Sequence, residues 1–288
     1  MNSTPLFWTQ EFSELIGCNQ VEVLSSAGRQ FVVNFQISDQ QILIPGRATF
    51  GGFFPKDGMA IPLSSFDEIF EKFKSDFVFE RQLIWKFPPD YFYPEVFKSQ
   101  RGICHPSAYK EVLDYNQHIG VATWGFEMLS KGNRKKYKQA AGAGTSYMAG
   151  TVEDISKCFK VLSENRAAIG VQVSMSEIEM KEGLLKFPDA YRIHFLELEG
   201  EVAAMCLTVD IAPRIRYVLY WADNVKFRNL SPTVFLFVNL VELSKANRIE
   251  ILDLGISSLQ GTLNEGLFRF KQNLGSIETF KRTHMYWH

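Results

Sequence analysis

Residues 229–275 read NLSPTVFLFVNLVELSKANRIEILDLGISSLQGTLNEGLFRFKQNLG, and the order of elements in this stretch decides the fold. Ser231-Pro232 opens a helix, because proline at the first helical position gives up no hydrogen bond and its fixed φ suits the first turn. Val234, Phe235, Leu236, Phe237, Val238, Leu240, Val241 and Leu243 leave little polar face before about Ala246, so this helix is expected to be buried. Ile249 to Leu254 then reads as a strand that ends at Gly255. Gly266 to Gln272 reads as a short helix with Leu267 and Phe270 inward, closed by Leu274-Gly275. An apolar helix feeding a strand belongs to an αβ unit.

Working outward, the residues before the stretch form a meander. Tyr191 to Leu198, Val202 to Ile211 and Arg216 to Ala222 read as strands joined by short turns at Glu199-Gly200-Glu201 and Pro213. Helices are expected at about Ser176 to Lys186, from Thr151 with Ile155, Cys158, Phe159 and Leu162 on one face, and over Phe126 to Ala141. Thr145 to Ala149 is a short strand, and Glu278 to Tyr286 is the last one. In the first part, Phe31, Val33, Phe35 and Ile37 alternate with Val32, Asn34 and Gln36, which predicts a strand with one apolar face. A helix capped by Ser64 or Ser65 follows, with Phe66, Ile69, Phe70 and Phe73 on one side, and Phe77 to Phe87 reads as a strand. Between residues 88 and 124, Pro94, Gly102 and Pro106 break any long element. Both halves thus run strands, helix, strand. The fold class is α/β, as two copies of one unit with domains at 1–115 and 116–288.

Composition excludes several classes. Lys and Arg (31) balance Asp and Glu (32), so the basic excess of a dedicated DNA-binding domain is missing. Cys18, Cys104, Cys158 and Cys206 lie far apart without CxxC spacing, and His105, His118, His194, His284 and His288 form no HExxH or HxH. Neither a disulfide framework nor a metal site is expected. No apolar run is long enough for a membrane span and no secretory leader is visible, so a reduced, cytoplasmic protein is expected. The 25 phenylalanines point to large mixed cores or an apolar groove.

Three spaced motifs carry a resemblance: Asn229-Leu230-Ser231-Pro232, Asp253-Leu254-Gly255 and Phe270-Lys271-Gln272-Asn273-Leu274-Gly275. The series resembles the C-terminal domain of Fem-type acyltransferases within the GNAT superfamily. Ala48-Thr49-Phe50-Gly51-Gly52 resembles the Pro-Phe-Gly-Gly-type loop of the first Fem domain, and the run Lys131, Arg134, Lys135, Lys136, Lys138 resembles the basic helix that opens the second. The resemblance implies a tandem GNAT-like protein, each half a mixed, largely antiparallel sheet flanked by helices. It implies transfer of an acyl or aminoacyl group from acyl-CoA or aminoacyl-tRNA to an amine on a small molecule or peptide. GNAT acetyltransferases place a glycine-rich turn before the helix that receives the pyrophosphate, and Lys226 to Pro232 contains no glycine. Close backbone approach to phosphate is harder without it. The second reading is therefore a non-catalytic binding module that keeps the fold.

Acyl transfer to an amine needs a positioned carbonyl, a neutral amine and a charge to meet the oxyanion. Lys271 is the candidate for that charge by the resemblance, or else a surface lysine. Asp253 is the candidate to orient the amine or take its proton, or else a turn cap. Arg228, Asn229 and Ser231 stand at the start of the buried helix where an anionic donor is welcome, Ser231 also serving as a plain N-cap. Tyr220 and Trp221 are expected to line the acyl groove, with Phe270 beside it. Phe50 and Phe54, in an apolar loop from Ala48 to Gly58, are candidates for a lid or a groove wall, or else simply for packing between domains. Lys135 and its basic neighbours over Lys131–Lys138 are candidates for contact with tRNA or a phosphorylated precursor. The site is expected in the C-terminal half, facing the cleft between halves.

Overall fold

A computed structural model describes residues 4–60, 62–78, 80–101 and 109–287. Gly102, Cys104, His105, Pro106 and His288 lie outside the described residues. The chain divides into two compact units. The first takes the described residues up to Asn116, then Ile256–Asn264 and the end from Thr279 onward; the second takes Gln117–Gly255 and Glu265–Glu278.

In the first unit, Thr9 caps α1 (Gln10–Leu15) by accepting from the Phe12 N–H. β1 (Asn19–Leu24) and β2 (Gln30–Ile37) form a hairpin whose turn needs Gly28 at φ +78°. β3 (Gln41–Ile44) adds antiparallel to β2, as does the two-residue β4 (Phe54–Pro55). α2 (Leu63–Phe73) crosses over to β5 (Gln82–Lys86), which lies parallel to β3. Phe66, Ile69, Phe70 and Phe73 are all fully buried, as their spacing predicts. α3 (Pro94–Arg101) follows, and β6 (Tyr109–Gly120) carries the chain out of this unit.

Three local expectations fail here. β2 is not one-sided: Phe31 to Phe35 are all buried, because the N-terminal segment covers the second face and Asn34 Nδ2 donates to the Phe7 carbonyl at 2.6 Å. The segment after α2 is not a strand from Phe77. It continues as a wide helical turn over Lys74–Val78, and the strand is only Gln82–Lys86. The helix itself starts at Leu63 after Pro62, which supplies no side-chain cap. Between residues 88 and 124 the expectation holds for the described residues: α3 starts at Pro94 and ends at Arg101, and β6 starts only at Tyr109, so no described element crosses Pro94, Gly102 or Pro106.

In the second unit, Ser130 caps α4 (Lys131–Gly142), and β7 (Ser146–Gly150), α5 (Ile155–Ala167) and α6 (Glu177–Lys186) follow. A capping box of Ser176 and Glu179 fixes the start of α6. β8 (Tyr191–Leu198), β9 (Glu201–Ala212) and β10 (Ile215–Asp223) make the meander, its first turn using positive φ at Glu199 and Gly200. α7 (Pro232–Ala246) crosses over to β11 (Ile251–Ile256), which joins β10 in parallel. The sheet order is β11-β10-β9-β8-β7. Val234, Leu236, Phe237, Val238, Leu240 and Val241 of α7 are buried, each worth about 1.5–3 kcal/mol relative to exposure.

The chain returns to the first unit for a hairpin of β12 (Ser258–Leu259) and β13 (Thr262–Leu263), then crosses the second as α8 (Glu265–Gln272). β14 (Ile277–Tyr286) pairs antiparallel with β5 and extends the first sheet to β1-β2-β3-β5-β14.

Candidate active site

β10 and β11 begin as partners and then part. Their register runs through Ile215–Ile251, Arg216–Leu252 and Tyr217–Asp253 and stops, while β10 continues to Asp223. A bulge at Leu219 bends β10 just past the last pair. On the other side, Gly255 takes φ +75°, and a Cβ there would meet Tyr217 Oη at 3.1 Å. Only glycine suits that backbone and that approach. The outcome is a stretch of β10 whose backbone edge has lost its neighbour.

Lys271 and Asp253 converge on this point. Lys271 is the one buried residue of α8, at 1 % exposure, and its Nζ donates to the Gly255 carbonyl at 2.8 Å. Asp253 is fully buried and its Oδ1 accepts the Gly255 N–H at 2.8 Å. The two backbone groups of one glycine thus anchor an ammonium and a carboxylate together. The surface-lysine reading of Lys271 is overturned. Leu267 and Phe270 are half-buried, and Phe270 packs against the core of the second unit as its spacing predicts. Phe270 lies edge-on to Trp221 of β10, ring centroids 5.4 Å apart.

The rest of the motif locks this arrangement. Leu274 is fully buried and its carbonyl accepts from Trp124 Nε1 at 2.8 Å. Gly275 stands at φ +84°, where a Cβ would lie 2.8 Å from Met128 Cβ. The Asn273 carbonyl accepts from both the Ser130 N–H and Asn133 Nδ2, each at 3.0 Å, so the end of α8 is tied to the start of the basic helix α4.

The start of α7 differs from expectation. Ser231 sits in the left-handed region at φ +49° and makes no side-chain cap, so its N-cap role is corrected. Its N–H donates to the Arg228 carbonyl, Pro232 has none, and the Val234 N–H donates to the Ser231 carbonyl. Little backbone donor capacity remains at this helix end. Arg228 is exposed and paired with Asp223 at 3.0 Å, which raises its pKa, and Asn229 is exposed beside it. Tyr220 is half-buried, its hydroxyl 2.5 Å from Ser174 Oγ.

Phe50 and Phe54 belong elsewhere. Both are in the core of the first unit, Phe50 against Phe7 and Phe92 and Phe54 against Trp8 and Tyr93, so the reading of an exposed apolar lid is corrected. Lys131, Lys135, Lys136 and Lys138 are exposed on α4, whereas Arg134 is spent on the Glu127 and Leu129 carbonyls.

Sequence reasoning missed several residues here. His118 on β6 is buried, which holds its pKa below the usual histidine value against the pull of the Asp253 charge. Gln117 donates to the Phe268 carbonyl in the middle of α8 and to Ser276 Oγ beyond its end, tying the helix and the turn after it to β6. Asn165 and Arg166, at the end of α5, donate to the Asp223 and Trp221 carbonyls. No motif marks any of them; long-range pairing alone brings them here. Among the described residues no cluster of three or more His, Cys, Asp or Glu could hold a metal, and no helix is long and apolar enough to cross a membrane.

The sequence matches no established family pattern and no curated protein. The solved structures answer differently. FemX aligns over 100% of this chain and 93% of its own at a TM-score of 0.68 and 10% identity. The fold is Fem-type and GNAT-like. L-PGS from Bacillus licheniformis aligns over 93% of this chain and 84% of its own, at TM-score 0.61 and 14% identity. A tandem GNAT protein from the clavulanic acid biosynthesis pathway aligns over 93% and 82%, at TM-score 0.50 and 10% identity. At such identities the likeness is one of fold, and it agrees with the resemblance read from the C-terminal motifs.

Proposed function

We propose that the second unit is an N-acyltransferase that moves an acyl or aminoacyl group from a thioester or aminoacyl-tRNA to an amine, with no covalent enzyme intermediate. Lys271 carries the reading. Its buried Nζ is held at the Gly255 carbonyl, where two parallel strands part. The donor carbonyl lies along the free edge of β10, walled by Trp221 and Phe270. The amine nitrogen attacks the carbonyl carbon and the π pair moves to oxygen, where the Lys271 charge meets it. Collapse expels the thiolate or the ribose oxygen. Asp253 orients the amine and takes its proton.

The glycine-free start of α7 favours aminoacyl-tRNA over coenzyme A as donor. With Pro232 lacking an N–H and the Ser231 and Val234 donors occupied, the helix end offers a pyrophosphate little. Lys131, Lys135 and Lys138 recur at i, i+4 and i+7, a stripe suited to a phosphate backbone or a phosphorylated precursor. We also take the two units as copies: β1-β2-β3-α2-β5 in the first repeats as β8-β9-β10-α7-β11 in the second. The test is a panel of acyl-CoAs and charged tRNAs offered with mixed amines, products read by mass. Donor-dependent N-acyl product supports the reading. Donor binding without product would replace it with the non-catalytic binding module.

A further inference from the structure

Among the described residues, no strand donates to the carbonyls of Trp221 and Asp223, which lie beyond the last β10–β11 pair at Tyr217. The Asn224 N–H donates to the Ala203 carbonyl of β9, so by alternation Trp221 and Asp223 point the other way. Side chains from the end of α5 fill in. Asn165 Nδ2 donates to the Asp223 carbonyl at 3.1 Å, and Arg166 Nη2 donates to the Trp221 carbonyl at 3.3 Å.

Arg166 is held loosely and without a counter-charge. Its other bond runs from Nη1 to Asn165 Oδ1, also at 3.3 Å, and among the described residues it enters no ion pair. Asp223 cannot serve, because its carboxylate is already shared by Arg228 at 3.0 Å and Asn165 at 2.7 Å. A guanidinium has five N–H donors in a rigid fork, so three remain for a ligand. The group is half-buried, where a charge is screened less than in bulk water, and burial lowers its pKa while the nearby Tyr220 phenol raises it.

We infer that Arg166 is an anion-recognition residue that binds a carboxylate or phosphate group of the substrate beside the open edge of β10. The fork geometry suits a bidentate oxyanion, and its place fixes where that anion lies relative to the Trp221–Phe270 wall. The inference rests on the acyl-transfer reading of that edge for calling the ligand a substrate.

The test follows the Arg166 Nε–H by 15N NMR, the signal assigned by its loss in Arg166→Lys and Arg166→Gln. The wild-type protein is titrated separately with sodium acetate and inorganic phosphate, at ionic strength matched with sodium chloride. A saturable shift of this signal, with the Arg228 signal still, is expected for at least one anion. Acetate alone assigns a carboxylate and phosphate alone a phosphate group. Either glutamine or lysine in place of Arg166 is expected to weaken that binding about 10- to 100-fold, read by calorimetry. No shift with either anion, or a shift shared by all arginines, overturns the inference. Because binding is read without turnover, a protein that binds the anion but transfers no acyl group would refute the proposed function and leave the anion site standing.

Discussion

The two units use one plan and finish it differently. In the first, β3 and β5 pair along the whole of β3, from Gln41–Gln82 to Ile44–Trp85. The end of that pair is closed by aromatic rings: Trp85 is fully buried among Phe53, Phe66, Phe70 and Phe87. In the second, β10 and β11 pair over three residues and open, and the buried group at the opening is an ammonium. The same crossover gives a packed core in one unit and a free strand edge in the other. What separates them is local: a bulge at Leu219, a left-handed Gly255 and a helix turned to bury its lysine.

Stability measurements can break or sharpen this contrast. The largest difference is expected between two tryptophans. Trp85→Ala removes a fully buried ring and should cost about 3–5 kcal/mol in urea unfolding. Trp221→Ala removes a half-buried ring at the open edge and should cost about 1 kcal/mol. Equal costs would mean that the second edge is as closed as the first. Gly275→Ala comes next, at about 1–3 kcal/mol by the same measurement, since the added Cβ meets Met128 in a backbone region that suits glycine.

Acid sensitivity is the smallest effect per step. In the second unit His194 is buried between Tyr147 Oη and Thr208 Oγ1, and burial pushes its pKa down from 6.5 to about 3. The unfolded chain therefore binds a proton that the folded one refuses. Stability is intact above pH 6.5 and falls as pH drops towards 3, by up to about 1.4 kcal/mol per pH unit. In the first unit burial also lowers the His284 pKa, but Glu111 at 3.3 Å pulls it back. His194→Gln should flatten the pH dependence of urea midpoints more than His284→Gln does. The opposite order would place the acid-sensitive core in the first unit.

Much of the second unit is legible in the sequence because its signals are local. Ser231-Pro232 marks a helix start, the apolar run marks burial, and Glu199-Gly200 marks a turn. The misreadings arise where distant contacts decide. Nothing near Phe50 or Phe54 says that Phe7, Trp8 and Phe92 cover them. Ser231 looks like a cap, but it stands left-handed at the end of a 3-10 turn and its side chain caps nothing. Lys271 is placed by a motif, while its burial depends on Gly255 sixteen residues earlier in the chain. His118, Gln117 and Arg166 carry no local signal, since each acquires its role only through the elements it packs against.

The central claim is that Lys271 serves the chemistry of the open edge. The direct measurement is single-turnover acyl transfer by wild type and Lys271→Met, with donor affinity measured alongside. Methionine keeps the length and apolar stem of the side chain and removes the charge. A rate lower by about 100- to 1,000-fold with donor affinity unchanged is the predicted result. Transfer at the wild-type rate by Lys271→Met would contradict it.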